Sequence, residues 1–332
     1  MQSVLDHKLL VVTGKGGVGK TTIAAALGLL AAREGRRTIV VEVGEESRLP
    51  QLFGIAEPRP GVETRLRERL SSISIDPDRA LLEWLQVLGG RVSGRVLASS
   101  GTFQYFAAAA PGAKELVTMV KIWQLTRGGG RGTRSGNYDL VVLDAPATGH
   151  ALGLLGSPRT FGAIARVGPI AGQTRQLQEL LESPSRSAYL AVALATEMAV
   201  TEALELQEGL QSRLGRGLAA VVVNALLPRR FSTEELRAIA ALEDGARDAT
   251  AVRRTRSRTG AAAAMTEAEQ RAVRLSAAHA ARAAHDRARF QHNQLARLRR
   301  RSFDVVGVPF VWGTGLDLDA VSAIATRLER GL

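Results

Sequence analysis

The sequence contains no cysteine. That excludes disulfides, thiolate metal sites and cysteine nucleophiles within the chain. Aromatic residues are scarce, at 4%, so a core must be built mainly from Ala, Val, Leu and Ile. Carboxylates are outnumbered, 32 against 44 Lys and Arg, for a net charge of +12. No run of about 18 apolar residues occurs, so no membrane-spanning helix is expected. No signal peptide fits the N-terminus, where Lys8, Lys15 and Lys20 break up the apolar character. A cytoplasmic location is the expectation. What is present is ample for folding: 332 residues, 45% of them apolar. That length suits one large α/β domain, or a core with a helical subdomain.

One stretch organises the rest. Leu9 to Val12 is an apolar run, Gly14-Lys15-Gly16-Gly17-Val18-Gly19-Lys20-Thr21-Thr22 follows, and Ile23 to Ala32 is Ala/Leu-rich. Strand, glycine loop and helix with the spacing G-x-x-x-x-G-K-[ST] make a phosphate-binding P-loop. Glycines let backbone N–H groups close around phosphate oxygens, and the helix adds the positive end of its dipole. Lys20 is placed to reach the β- and γ-phosphates of ATP, and the Thr21 hydroxyl to ligate Mg²⁺.

A second signal lies at Tyr138-Asp139-Leu140-Val141-Val142-Leu143-Asp144-Ala145-Pro146-Ala147-Thr148-Gly149-His150. An apolar strand ending in Asp144 can hold Mg²⁺ through its water shell. Gly149 is expected to let the following loop hinge toward the γ-phosphate. His150 is a candidate base, although a switch role for Thr148, Gly149 and His150 suits a reaction that depends mostly on positioning and electrostatics. Thr38 to Val43 reads as a buried parallel strand that ends in Gly44-Glu45-Glu46. Loops at that end of a parallel strand face the ligand crevice, so these carboxylates are candidates for orienting the attacking water.

The extra lysine, Lys15, resembles the signature of the deviant P-loop (SIMIBI class) ATPases that dimerise on nucleotide. The resemblance implies that Lys15 reaches across a subunit interface to the partner's phosphates. A cation that arrives only on dimerisation stabilises transition-state charge only in the closed dimer. Combined with the Tyr-Asp-x-Val-Val-x-Asp strand and its Ala-Thr-Gly-His-Ala-Leu continuation, the chain resembles the arsenite-pump (ArsA) and tail-anchored-protein-targeting ATPase family. The resemblance implies that Asn224, after the Val221-Val222-Val223 strand, reads adenine, and that Pro309 lies against the same base. It also marks a departure. An Asp that orients water in targeting members corresponds to Gly44 here. Either Glu45 or a neighbour substitutes, or hydrolysis is slow, or a partner subunit supplies the group. Arsenite pumping is not expected, because arsenite has no thiolate ligands here.

The fold expected is a doubly wound, mostly parallel P-loop NTPase spanning 1–332, with a helical subdomain from 79–125 and 155–183. Gly/Arg-rich residues 127–137 read as a flexible loop. Ser232 and Thr266 each open a capping box, with Glu235 and Glu269 three residues on. Residues 232–301 are read as an Arg-rich helical hairpin. Within 247–301 stand fourteen arginines against four acidic residues, a charge that a solvated face or an anionic partner accommodates. The leading reading is an Mg²⁺-dependent, dimeric ATPase switch, homodimeric or paired with a related ATPase, that acts on an unnamed client protein. The alternatives are a weakly active subunit of a heteromeric complex and a ParA-like nucleic-acid binder.

Overall fold

A computed structural model describes residues 3–56, 61–88, 112–127, 138–164, 169–248, 266–313 and 315–332. The segments expected as a helix at 92–98, an apolar run at 103–110 and the Gly/Arg loop from 128 onward lie outside the described residues. In chain order the elements are β1 (Leu9–Gly14), α1 (Lys20–Arg33), β2 (Thr38–Val43), α2 (Leu49–Leu52), β3 (Thr64–Arg67), β4 (Leu70–Ile75) and α3 (Pro77–Leu88). Then come α4 (Ala113–Thr126), β5 (Leu140–Ala147), α5 (Thr148–Ile164), α6 (Pro169–Glu182), β6 (Ser187–Leu194) and α7 (Glu197–Leu214). The chain finishes with β7 (Ala220–Leu226), α8 (Thr233–Asp248), α9 (Glu267–Arg299), β8 (Asp304–Pro309) and α10 (Leu318–Glu329).

The strands form one sheet in the order β3-β4-β2-β5-β1-β6-β7-β8. Every pair is parallel except the edge hairpin β3–β4. This is the doubly wound α/β architecture that the alternation of apolar strands with helical stretches implies. The sequence reading did not anticipate β3. Its turn, Glu68-Arg69, carries no glycine, and Arg69 takes a left-handed conformation with φ 59°, so the usual hairpin marker is missing.

Strand periodicity explains the two cores. In β1, Leu9 and Val11 enter the core beneath α3 to α7, while Leu10 and Val12 enter the core beneath α1 and α10. β5, β6 and β7 divide their residues in the same way. Strands buried on both faces read as continuous apolar runs, which is why all four are plain in the sequence. Helices α3 to α6 pack on one another and share the first core with the sheet. Among the described residues, no helix is long and apolar enough to cross a membrane.

The end of β1 leaves no room for a side chain. Gly14 has φ 145°, and a Cβ there would stand 2.1 Å from the Val192 carbonyl oxygen of β6. Both partners are backbone, so neither gives way cheaply. Gly14→Ala is therefore expected to cost about 3 kcal/mol or more of folding stability. Gly16→Ala, where nothing lies within 4 Å of the added carbon, should stay within about 0.5 kcal/mol. Urea denaturation of the two variants without nucleotide checks the contrast; equal midpoints would refute it.

Candidate functional site

Parallel strands bring their C-terminal ends to one edge of the sheet, and the ends of β1, β2 and β5 meet there around a cleft of about 760 Å³. Gly17, Gly19, Lys20, Thr21 and Thr22 line it from the glycine loop, and Asp144 to Pro146 from β5. Val18 is buried in the second core and anchors the loop, while Gly16 and Gly17 are exposed. Helix α1 starts at Lys20 behind Gly19, whose left-handed φ of 93° turns the chain, and no side chain caps it. The first-turn N–H groups therefore lack a capping acceptor, as an anion site requires.

Lys20 Nζ donates to the Lys15 carbonyl at 3.0 Å. Burial lowers the pKa of its ammonium, and the charge of Asp144 opposes that. Thr21 Oγ1 donates to Asp144 Oδ2 at 2.6 Å. The other Asp144 oxygen is buried and has no hydrogen-bond partner among the described residues. Burial is the main cause that raises the Asp144 pKa to about 6. The Thr21 hydrogen bond opposes the rise, the Glu42 charge adds to it, and Lys20 and Arg48 pull it down. A hydroxyl and a half-satisfied carboxylate are hard oxygen donors, which fits Mg²⁺, an ion that keeps several waters. Among the described residues, no cluster of three or more His, Asp or Glu forms an all-protein metal cage.

Glu42 is a functional side chain that the sequence reading underrated. It is buried on β2, in register with Asp144 on β5. It accepts hydrogen bonds from the Ser47 hydroxyl, from Arg48 N at 3.0 Å and from Leu49 N at 3.4 Å. It thus pins the loop 44–49 instead of facing water freely. The signal was a charged residue inside an apolar strand. Gly44 is held through its own backbone: its N–H donates to Ile75 O at 3.0 Å, and its carbonyl accepts from Ser74 Oγ at 2.5 Å. Glu45 and Glu46 are exposed and line the cleft.

Thr148, Gly149 and His150 differ from the hinged loop expected. They form the first turn of α5, which begins directly at the end of β5 and runs on through Pro158. Pro146 lines the cleft, and its carbonyl accepts from Thr13 Oγ1 at 3.0 Å. Gly149 and His150 are exposed outside the lining, and Thr148 Oγ1 is buried without a hydrogen-bond partner among the described residues. Local β-strand character through Ala147 leaves no residues for a loop, so any switching here must shift a helix terminus.

Asn224 and Pro309 lie at the ends of β7 and β8. Asn224 Nδ2 donates to the Val18 carbonyl at 2.9 Å, so its amide braces the glycine loop. A Cβ on Gly19 would meet that same amide nitrogen at 2.4 Å. Beyond Pro309, Phe310 and Trp312 stand edge to face, with centroids 4.7 Å apart. The Arg230 guanidinium lies 5.1 Å from the Trp312 ring centroid. This exposed aromatic pair, in a chain so poor in aromatics, was available in the sequence as a signal and was missed. Lys15 points away from the cleft, to Glu202 on α7.

Residues 7–167 match the pattern of the anion-transporting ATPase family, ArsA ATPase. The chain is similar to ATPase BagA of Mycobacterium tuberculosis, at 31% identity over 81% of each chain. It is 28% identical to a protein named as an arsenical pump-driving ATPase in Halobacterium salinarum, over 69% of this chain and 37% of that one. ATPase GET3 of Paracoccidioides lutzii is also 28% identical, over 52% of this chain and 50% of its own length.

The raised Asp144 pKa has a signed consequence. The folded state holds the proton more tightly than the unfolded chain, so Asp144 is neutral and harmless below about pH 4. Its penalty grows as pH rises through about 6. Asp144→Asn removes that penalty while leaving an oxygen to accept from Thr21. The variant should be more stable than wild type by about 3 kcal/mol at pH 8, with the gap closing toward pH 4, and should lose Mg²⁺-dependent nucleotide binding. Urea titrations at both pH values, with nucleotide affinity measured with and without Mg²⁺, check both halves. A gap that widens toward low pH would reverse the sign.

Proposed function

Because the chain belongs to the ArsA ATPase family, we propose that it is an Mg²⁺-dependent ATPase switch in which two subunits close around nucleotide. ATP binding and hydrolysis follow from the family. Magnesium, the second subunit and the client are this proposal's own content. The observation that carries it is the Thr21–Asp144 pair, with one buried oxygen unpartnered among the described residues, at a helix N-terminus that no side chain caps.

In the proposed cycle, the loop N–H groups and the start of α1 bind the phosphates. Lys20 exchanges the Lys15 carbonyl for a phosphate oxygen. Thr21 and Asp144 hold Mg²⁺, which supplies charge neutralisation at the β- and γ-phosphates. Glu45, exposed at the mouth of the cleft, orients the attacking water. Asn224, Pro309 and the adjoining Phe310–Trp312 pair lie on the side where the base is placed. Lys15 brings positive charge to the partner's phosphates. Exposed apolar side chains support closure by a second subunit: Met198 from α7, and Phe310, Trp312 and Leu316 after β8 stand outside any core.

Gly44 favours a second reading. Its backbone is tied to β4 and it offers no carboxylate, so Gly44 itself cannot orient water. A heteromeric complex, in which a related ATPase supplies that group to a weakly active partner, fits this feature. The nucleic-acid reading draws less support. Residues 249–265, which hold four of the arginines, lie outside the described residues. The basic helix α9 packs along α8, whose sequence carries Glu234, Glu235, Glu243, Asp244 and Asp248.

Phosphate release with Mg-ATP across a wide range of protein concentration separates these readings. Specific activity should climb with concentration in the wild type. Lys20→Ala should lose at least about tenfold in ATP affinity. Lys15→Ala should keep its ATP affinity and lose about a hundredfold or more in turnover. Unchanged turnover in Lys15→Ala sinks the cross-subunit role. Flat, near-zero release from the wild type, with intact ATP binding, favours the heteromeric reading.

A further inference from the structure

Lys15 is not a free cation. Its Nζ lies 2.8 Å from Glu202 Oε1 and also contacts the Met198 sulfur. The two partners come from one place. β1 and β6 are parallel neighbours, so the glycine loop after β1 and the start of α7 after β6 share the same edge of the sheet. Thr196 caps α7 by accepting from Ala199 N, which fixes where the helix begins. Met198 and Glu202 stand four residues apart, on one face of its first two turns. That face receives the Lys15 side chain from a residue 187 positions earlier in sequence.

We propose that Glu202 is a positioning residue that holds Lys15 within its own chain until a second copy of this chain closes over the cleft. The proposal rests on the two-subunit reading above. Lys15 has two ties. Its carbonyl accepts from Lys20 Nζ, and its ammonium is paired with Glu202. Phosphate binding removes the first tie, because the Lys20 ammonium is then needed at the phosphates. The second tie gives way by exchange of one anion for another. Glu202 releases the ammonium as the partner's phosphates come within reach. The pair is suited to exchange, since the Lys15 and Glu202 side chains are 37% and 29% exposed. A pair open to water in this way is a modest restraint, not a lock. Met198, 63% exposed beside them, keeps that side of the pair apolar and places it at the surface where a second copy would close. An unrestrained Lys15 would sample many positions; a tethered one arrives from a fixed point, and only when a competing anion displaces Glu202.

The test is limited acetylation of the full-length, nucleotide-free protein with an amine-reactive ester, read by mass spectrometry at Lys15 against exposed Lys8 as internal reference. Glu202→Gln removes the charge with little change of shape. It should raise Lys15 labelling relative to Lys8 by about two- to fivefold, the range a partly exposed pair commands. Equal labelling in the two proteins overturns the proposal, whatever the activity does. The second readout is the protein concentration at half-maximal phosphate release, which should fall in Glu202→Gln by a similar factor. If labelling rises but that concentration stays the same or climbs, Glu202 does not restrain closure and the role is overturned. If wild-type release shows no concentration dependence, the two-subunit reading fails and takes this role with it, while the labelling still reports the ion pair.

Discussion

Asp144 is a carboxylate kept where a carboxylate is least welcome. It is 9% exposed within a strand buried on both faces along most of its length, and its pKa of about 6 means that ionisation at neutral pH opposes folding by roughly 3 kcal/mol. One oxygen is compensated by Thr21 and the other by nothing among the described residues. Such a group persists only if the surrounding structure fixes it, and the surroundings do so. β5 lies between β1 and β2, with apolar residues from both faces packed against it. Two strongly packed cores hold in place a charge that neither would tolerate alone. A cation placed beside that oxygen would remove the penalty, and the relief would count toward the cation's affinity.

The parts of this site that were legible in the sequence are those whose chemistry is local. The glycine loop places its lysine and threonine within one turn of the residues that shape the bend, so motif and geometry are the same fact. Asp144 is legible for a similar reason: a carboxylate that closes an apolar run has few other purposes. The two fully buried strand faces likewise leave an unbroken apolar record, so the sheet was readable strand by strand. By contrast, β3 could not be read. It is a four-residue edge strand with a mixed burial pattern, and its turn places Arg69, not glycine, in the left-handed region. Edge strands carry little of the core and so leave little apolar pattern.

What the sequence concealed are partnerships between distant residues. Lys15 and Glu202 meet only because β1 and β6 are adjacent, and strand order is not written in any single segment. Asn224 was placed at the nucleotide by resemblance, yet its amide is engaged with the loop that would hold the phosphates. Its brace on Val18 links β7 to the glycine loop after β1, across β6. Thr148, Gly149 and His150 show the reverse problem. Their residue types suggested a loop, since glycine after a strand is an ordinary punctuation mark. The strand hydrogen bonds continue through Ala147, however, and the helix takes over at once. Backbone bonding to neighbouring strands overrode the local preference.

Glu42 draws these threads together. It stands beside Asp144 in the sheet, and two buried carboxylates on neighbouring strands repel each other. Glu42 survives there because three donors from residues 47–49 point at it, and those donors belong to the loop that carries Gly44, Glu45 and Glu46. The loop is therefore folded around a carboxylate as well as around the buried Leu49 side chain. The part held by the carboxylate responds to electrostatic change in the cleft more readily than the part held by packing, since apolar contacts are indifferent to the arrival of a cation or a phosphate. Any positive charge placed at Asp144 eases the repulsion that Glu42 feels and alters the field in which Ser47, Arg48 and Leu49 donate. The route from the floor of the cleft to the loop at its mouth is one strand spacing, through two carboxylates. That short path joins the floor of the cleft to Glu45 and Glu46 at its mouth, in a chain whose loop has glycine at position 44, where the resemblance implies an acid.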